Sequence, residues 1–307
     1  GCAMTALSTG LPLFYTSRAV QGLGFAFVQP VMVAVLGDLV GPGEKGRTMG
    51  WLTAATTGGV MLGPLIAGFA AAVDWRLAFI AIGAFSIALA LLIQALLRLP
   101  KACHRNGEGS LRSNMSLAAR RLGVLMLALT GFLHMLVWIA TQAFASDSLG
   151  QDYSASSQVI GEVLAFAALC SIAASRIGGG MADRYGRYGP VLVGTSIMVA
   201  SLVAMWLWIP GILAYAGYLA VFAFGSAMSW ASLLTLTVEL IPWLRGTVSS
   251  MFTSAGFVGG ALAPIALTPV QTHFGTPAVH LVSAGLCSLI MISISLVGWD
   301  VRRHGPG

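Results

Sequence analysis

Side chains that could contact a solute or a proton recur at four-residue spacing in one apolar run of this 307-residue sequence. Thr130, His134, Trp138 and Gln142 share one face of a helix at this spacing. Histidine changes its charge near physiological pH, so His134, near the middle of the run, is a candidate proton site. A neutral histidine, hydrogen-bonded between two helices, would fit the same position. The residues leave both interpretations open.

A second set of polar side chains includes an arginine within an apolar run. Arg18, Gln21, Phe25 and Gln29 fall on one helix face. Charge inside a membrane is unfavourable, so we expect Arg18 to face a cavity or a partner. Because Arg18 lies about two turns from the outer end of its helix, the alternative is that its guanidinium extends to the membrane surface.

Two further runs in the second half contain candidate contacts for a solute or a proton. Tyr218, Phe222 and Ser226 form a third stripe, although such residues also pack in protein cores. Glu162 is a carboxylate well inside an apolar run, and it is either hydrated or a proton carrier. His280, near the outer end of the last hairpin, carries little information.

Two carboxylates lie at the ends of apolar runs, each near an arginine. Asp38 precedes Arg47, and Glu239 precedes Arg245. A charge at a helix end avoids the apolar core of a membrane. We therefore interpret both carboxylates as structural charges.

Composition defines the class of protein that must position these side chains. Hydrophobic residues make up 57% of the sequence and charged residues only 8%, whereas soluble domains carry about 25% charged residues. We therefore predict an all-α, polytopic membrane protein. The four cysteines lack metal-ligand spacing, so we interpret them as small apolar side chains and expect no metal site.

The apolar runs predict nine complete transmembrane helices and part of a tenth at residues 1–9. Each run is long enough to cross a hydrocarbon core of about 30 Å. The predicted spans are 11–38, 48–72, 76–98, 120–146, 155–178, 189–209, 212–240, 246–271 and 277–300.

The basic residues predict the orientation of these helices. Most of the 16 lysines and arginines lie on one side of the predicted spans, and positive loops face the cytoplasm. We therefore predict a multi-pass protein of the cytoplasmic (inner) membrane with a cytoplasmic C-terminus. This distribution explains the net charge of +6, so nucleic-acid binding is not indicated. The residues on this side are Lys45, Arg47, Arg98, Lys101, Arg105, Arg112, Arg120, Arg121, Arg176, Arg184, Arg187, Arg245, Arg302 and Arg303.

The two halves of the chain resemble each other. Prolines and glycines coincide at an offset of about 200 residues, as in transporters built from parallel repeats. We predict an N-terminal bundle at 1–98 (the end of helix 3 to helix 6), a cytoplasmic linker at 99–119 and a C-terminal bundle at 120–307 (helices 7–12). We therefore expect an N-terminally truncated sequence that lacks about two and a half helices of such a repeat. The coincident pairs are Pro42 and Pro242, Gly46 and Gly246, Gly59 and Gly259, and Pro64 and Pro264.

One stretch combines small residues with a proline inside a predicted helix. Gly50, Gly59, Gly63, Pro64 and Gly68 lie within GWLTAATTGGVMLGPLIAG. Glycines four residues apart allow a neighbouring helix to approach closely, and a proline bends the helix that contains it. This stretch predicts a tightly packed helix that can bend.

A second motif joins two predicted spans at the basic side. GGMADRYGR contains Gly179, Asp183, Arg184, Gly186 and Arg187. The glycines permit a tight turn, and Asp183 can stabilise the N-terminus of the next helix. The arginines can pair with carboxylates at neighbouring helix ends.

Together these motifs resemble the Major Facilitator Superfamily. The proline-containing stretch is similar to its fifth-helix antiporter motif, with Ala67 in place of a glycine. GGMADRYGR is similar to its cytoplasmic loop, with Tyr188 where the family has a basic residue. Arg18, with the Gln21-Gly22-Leu-Gly24 that follows, resembles its fourth-helix motif.

The resemblance, to the branch of twelve-helix drug:proton antiporters and sugar-efflux permeases, implies a function. The fourth, seventh and tenth helices of that family, which hold the three polar stripes, line a central cavity. Its cytoplasmic loop holds the two halves together in one conformation and releases them in the other. Its fourth-helix arginine is thought to assist proton transfer.

We accordingly predict a secondary active transporter that exports a drug-like compound, sugar or metabolite in exchange for protons. The expected partners are the small-molecule solute, protons and membrane lipid, and the expected state is a monomer. No cofactor is expected, since the proton gradient supplies the driving force, and no catalytic motif indicates an enzyme. A proton-coupled symporter that imports a nutrient and a transporter fragment without activity are the alternatives.

Overall fold

The computed structural model describes residues 1–41, 43–71, 74–96 and 111–304. All regular elements among these residues are helices, which confirms the all-α prediction. A 3-10 turn (Pro242–Leu244) precedes α10. In chain order, the helices are α1 (Cys2–Ala6), α2 (Leu11–Leu39), α3 (Lys45–Ala71), α4 (Arg76–Leu96), α5 (Leu111–Ala119), α6 (Leu122–Gln151), α7 (Ser157–Tyr185), α8 (Tyr188–Leu207), α9 (Ile212–Glu239) and α10 (Arg245–His304).

Helix α10 consists of two helical arms. Its backbone leaves the helical conformation at Gly275, where φ is 80° and ψ is 170°. Glycine adopts a positive φ readily because it has no Cβ atom. The break falls between the predicted spans 246–271 and 277–300. We call residues 245–274 α10a and residues 276–304 α10b.

The helices agree with the predicted spans. Each predicted span has a helix, although several helices extend further at their ends than the apolar runs do. The run that contains Glu162, for example, continues as α7 to Tyr185. Among the described residues, seven helices are long and apolar enough to cross a membrane by length and composition, with α10 treated as one.

The contacts between residues divide the chain into two compact units. Unit 1 comprises residues 1–29 and 60–108, and unit 2 comprises residues 30–59 and 109–307. Helices α2 and α3 contribute residues to both units. The bundles predicted at 1–98 and 120–307 stay a prediction. Residues 99–110 of the predicted linker lie outside the described residues, and residues 111–119 form α5.

Small residues bring the helices of unit 2 into backbone contact. A Cβ atom on Gly194 of α8 would lie 2.5 Å from the carbonyl oxygen of Gly225 on α9. Gly259 of α10a packs directly on the carbonyl oxygen of Phe132 on α6. Such faces are typical of helices that associate within membranes, where close packing replaces the hydrophobic effect. These contacts hold α6 against α10a and α8 against α9.

Candidate functional site

Helices α6, α9 and α10a enclose His134. This side chain is 1% exposed, and its Nε2 atom lies 3.0 Å from the hydroxyl oxygen of Ser226. The centroid of its ring lies 5.1 Å from that of Trp230, which in turn lies 5.0 Å from the ring of Phe252. We call His134, Ser226, Trp230 and Phe252 the His134 cluster.

Several buried polar atoms near this part of unit 2 have no hydrogen-bond partner among the described residues. They include Nδ1 of His134 and Oε1 of Gln142 on α6, Oγ of Ser229 on α9 and Oγ1 of Thr253 on α10a. A buried polar atom without a partner costs about 1–3 kcal/mol, so its presence calls for an explanation, such as a functional role. These atoms are among the groups of unit 2 that could bind a polar solute or a proton.

The remaining predicted contacts on α6 and α9 pack inside unit 2. Phe222 is fully buried in an apolar cluster, and Trp138 and Tyr218 are half-buried against the same cluster. Thr130 is buried and donates a hydrogen bond to the Met126 carbonyl of its own helix. The predicted role of these residues in solute contact stays a prediction.

Within unit 1, Arg18 has both polar and aromatic partners. Its Nη1 atom donates a hydrogen bond to Oε1 of Gln21 at 2.9 Å. Its guanidinium carbon lies 4.8 Å from the ring centroid of Phe79 and 5.1 Å from that of Phe14. Gln21 in turn donates a hydrogen bond to the Thr5 hydroxyl at 2.8 Å. Arg18 is thus held by a hydrogen bond and by two cation–π contacts.

Three predicted residues lie on other parts of α2 and α7. Glu162 is exposed on α7 and accepts a hydrogen bond from Nε2 of Gln158 at 3.0 Å. On α2, Gln29 is half-buried and Phe25 is exposed. The structure does not bring Glu162 into hydrogen-bond contact with the His134 cluster.

The carboxylate of Asp183 caps a helix that is remote in sequence. The backbone N–H groups of Gly46 and Arg47 donate hydrogen bonds to its Oδ1 and Oδ2 atoms, each at 2.8 Å. These groups belong to the first turn of α3, where free N–H groups and the helix dipole favour a negative charge. The sequence suggested the N-terminus of the next helix, α8, as the site of this interaction. The structure places it instead at α3.

Arg187 connects Asp183 to the end of α9. It donates a hydrogen bond to Asp183 at 2.7 Å and two to Glu239 at 2.8 Å each, and Lys45 lies 4.0 Å from Glu239. Burial would lower the pKa of the Arg187 guanidinium, but its hydrogen bonds to Glu239 and Asp183 outweigh this effect and raise the pKa above its ordinary value. We call Asp183, Arg187, Glu239 and Lys45 the Asp183 network.

Small residues allow α3 and α7 to approach each other beside this network. Gly46 packs directly on the carbonyl oxygen of Gly179, and a Cβ atom on Gly50 would lie 2.6 Å from that of Ser175. The absence of a side chain at Gly50 therefore allows this close approach of α3 and α7. Around Gly59, in contrast, the described residues leave space for a side chain.

The remaining residues of the proline-containing stretch and of GGMADRYGR lie in or next to helices α3 and α7. The backbone of α3 continues through residues 63–68, but the side chain of Pro64 lies outside the described residues, as do details at Gly63 and Gly68. At the loop, Gly186 has a φ of 87° and ends α7, as expected for a glycine turn. Arg184 is exposed.

The structure gives specific partners to His280 and Glu239 of unit 2. His280 is fully buried, and its Nε2 atom lies 3.2 Å from the hydroxyl of Tyr215. Glu239 pairs with Arg187 and Lys45, while the nearby Arg245 donates a hydrogen bond to the Gly37 carbonyl at 3.2 Å. The sequence did not indicate the pairing of His280 with Tyr215. The loop motif predicted that one of its arginines pairs with a carboxylate at a neighbouring helix end, and the structure identifies Arg187 and Glu239 as that pair.

The helices define an all-α polytopic membrane protein, and sequence comparison identifies the family. The sequence profile of the Major Facilitator Superfamily matches residues 1–264 and 127–306. The chain therefore belongs to this family and is an integral multi-pass membrane protein. Members of this family are transporters and are generally not enzymes.

Relatives extend over different parts of the chain. It is 27% identical over 266 residues to the uncharacterized MFS-type transporter YceJ of Bacillus subtilis (strain 168), which covers 84% of this chain and 67% of that protein. It is 32% identical over 96 residues to multidrug resistance protein 1 of the same strain. This match covers 31% of this chain and 25% of that protein. It is 28% identical over 104 residues to the quinolone resistance protein NorA of Staphylococcus aureus. This match covers 34% of this chain and 27% of that protein. The matches to the two resistance proteins thus span only about a quarter of those proteins.

Solved structures share the fold. The human organic anion transporter MFSD10 (TETRAN) superposes with a TM-score of 0.82 at 20% identity, covering 95% of this chain and 73% of that chain. The fucose:proton symporter FucP of E. coli superposes with a TM-score of 0.76 at 15% identity, covering 96% and 80%. At these identities the likeness concerns the fold alone.

Proposed function

We propose that this chain belongs to a proton-coupled antiporter that exports a small organic molecule by alternating access. The arginine-rich end of unit 2, where the Asp183 network lies, would face the cytoplasm. Downhill entry of protons would then drive export of the solute. The observation that carries this proposal is the Asp183 network, since it joins three helices through contacts that can separate.

The Asp183 network has the properties of a reversible closure. Its bonds join the first turn of α3, the end of α7 and the end of α9 through side-chain carboxylates and one guanidinium. Charged groups that separate at the end of a bundle can be hydrated by water, whereas buried apolar contacts lose their packing entirely. The network can therefore stabilise one closed state without making it permanent.

The His134 cluster supports coupling to protons. A buried imidazole has one nitrogen near Ser226 and a second, Nδ1, without a partner among the described residues. A proton or a solute that binds at Nδ1 would change the charge or the hydrogen bonding between α6 and α9. Since α9 also ends in Glu239, a member of the Asp183 network, one helix connects both clusters.

The relatives support the class of solute. Two proteins with matching segments are named for multidrug resistance and for quinolone resistance. A moderately apolar organic molecule fits the rings of Trp230 and Phe252 beside His134 and the buried amide of Gln142 on the same helix. We therefore propose a drug-like compound as the first solute class to test, and a sugar or another metabolite as the second.

Transport in proteoliposomes tests this proposal. The complete gene product is reconstituted, an inside-acid pH gradient is imposed, and uptake of ethidium or norfloxacin is recorded. An antiporter accumulates the solute under this gradient, because protons leave as the solute enters. A symporter accumulates it only under the opposite gradient, which would contradict antiport while preserving proton coupling.

Two histidine variants separate coupling from folding. His134→Gln keeps a hydrogen-bonding group beside Ser226 but cannot titrate, so we expect loss of gradient-driven uptake with solute exchange retained. His273→Gln is the matched control, because His273 is exposed near the end of α10a. Equal behaviour of the two variants would remove His134 from the proposed mechanism.

A further inference from the structure

An apolar groove lies at the arginine-rich end of unit 2, apart from the His134 cluster. It has a volume of about 460 Å³ and is lined by parts of α5, α6, the 3-10 turn and α10b. Its apolar side chains include Leu117, Trp243 and Trp299, which are 55%, 65% and 45% exposed. Leu122 adds a further partly exposed side chain. We call this feature the Trp243–Trp299 groove.

The charged groups of the groove leave a positive rim. Asp300 is almost fully buried and is neutralised by Arg121, whose Nε atom lies 3.2 Å from Oδ2 of the carboxylate. Arg120 is exposed, and the described residues include no acidic partner within salt-bridge distance of it. The guanidinium of Arg303 lies 5.1 Å from the ring of Trp299, which lines the groove.

From this arrangement we infer that the Trp243–Trp299 groove binds one anionic phospholipid. The headgroup phosphate is held by Arg120, and the acyl chains lie on Leu117, Leu122 and the two indole rings. Tryptophan is enriched where membrane meets water, and basic pockets between helices bind anionic headgroups. An apolar floor beside a cationic rim matches both parts of such a lipid, whereas free phosphate would contact the rim alone.

The inference depends on the chain lying in a membrane and not on the proposed proton coupling. The complete gene product is purified in dodecyl maltoside and stripped of lipid. Binding of palmitoyl-oleoyl phosphatidylglycerol is then measured by native mass spectrometry. Phosphatidylethanolamine with the same acyl chains tests the need for negative charge, and inorganic phosphate tests whether the anion alone suffices.

Two variants assign the binding to this groove. Arg120→Gln should weaken phosphatidylglycerol binding about fivefold, as expected for removal of one basic residue at a membrane surface. Trp243→Ala should weaken binding of the lipid without altering that of phosphate. The matched control is Arg176→Gln, which removes an exposed arginine stacked on Trp51 elsewhere in unit 2.

The outcomes are distinct. Preference for phosphatidylglycerol that is lost in Arg120→Gln and Trp243→Ala, but retained in Arg176→Gln, supports the site. Equal binding of the two phospholipids overturns it, and so does competition by inorganic phosphate at comparable concentration. An equal loss in Arg176→Gln also overturns it, because the effect would then follow net charge and not this groove.

Discussion

Replacement of Asp183 by asparagine tests the Asp183 network most sharply. The carboxylate accepts hydrogen bonds from two N–H groups in the first turn of α3 and one from Arg187. Asparagine has nearly the same shape, but only one of its two terminal atoms can accept a hydrogen bond. The change therefore removes one backbone hydrogen bond, the charge at the helix N-terminus and the ion pair with Arg187.

The size of the effect follows from these losses. One hydrogen bond contributes about 1 kcal/mol, and a partly buried charge at a helix N-terminus contributes about 1–2 kcal/mol. Even without the ion pair to Arg187, the closed state should therefore lose about 2–3 kcal/mol, which raises the ratio of open to closed molecules about 30- to 150-fold. The prediction concerns this equilibrium and not the stability of the whole fold.

Thiol alkylation measures the opening. Ser175 is fully buried where Gly50 of α3 approaches α7, so we expect separation of these helices to expose Ser175→Cys to N-ethylmaleimide. The native cysteines at positions 2, 103, 170 and 287 are first replaced by serine. Under conditions in which opening is faster than labelling, the labelling rate is proportional to the open fraction, and it should rise in the Asp183→Asn background.

A carboxylate at the opposite end of the bundle provides the control. Asp147 accepts hydrogen bonds from Gln151 and Gln271, so Asp147→Asn makes the same chemical change away from α3. The reasoning is refuted if Asp183→Asn leaves the labelling rate unchanged, or if Asp147→Asn raises it equally. Elution as a single folded species is required of both variants.

Three further predictions concern packing and the charged network. Gly194→Val should lower the thermal unfolding temperature in detergent, because the new side chain would meet the Gly225 backbone. Such overpacking costs about 1–3 kcal/mol. Gly217→Val, at a position with open space in the described structure, should lower this temperature less. Tyr215→Phe should lower the same temperature, since His280 loses its partner in a buried site at about 1–3 kcal/mol, and an unchanged temperature would contradict that contact. Arg187→Lys should increase labelling at Ser175→Cys, because an ammonium cannot form the paired hydrogen bonds to Glu239; a rate equal to that of the parent would show that the paired geometry is unimportant.

The sequence predicted the helices well because membrane spans depend on local composition. Long uncharged runs specify helices wherever they occur, so each of the predicted spans has a helix in the structure. The break at Gly275 was also local, since its turn residues lie between two apolar runs. The apolar runs predicted the ends of the helices less accurately, because helices such as α7 continue beyond the membrane core.

The contacts of the candidate site required tertiary structure. Four-residue spacing placed His134 on a polar face, but it could not identify Ser226 and Trp230 as its neighbours. The carboxylate of Asp183 was predicted to stabilise a helix N-terminus, and it does so at α3 instead of the adjacent α8. The choice between these helices depends on how α3 and α7 pack, which the spacing of residues within one motif does not encode.

The sign of solute-driven proton movement tests the central claim of proton antiport most directly. Proteoliposomes containing the complete gene product are loaded with norfloxacin and a pH-sensitive dye, then diluted into solute-free buffer of the same pH. Outward movement of solute through an antiporter draws protons inward, so the lumen should become acidic, and His134→Gln should abolish this change. A lumen that becomes alkaline, or one whose pH does not move while solute leaves, would contradict the account.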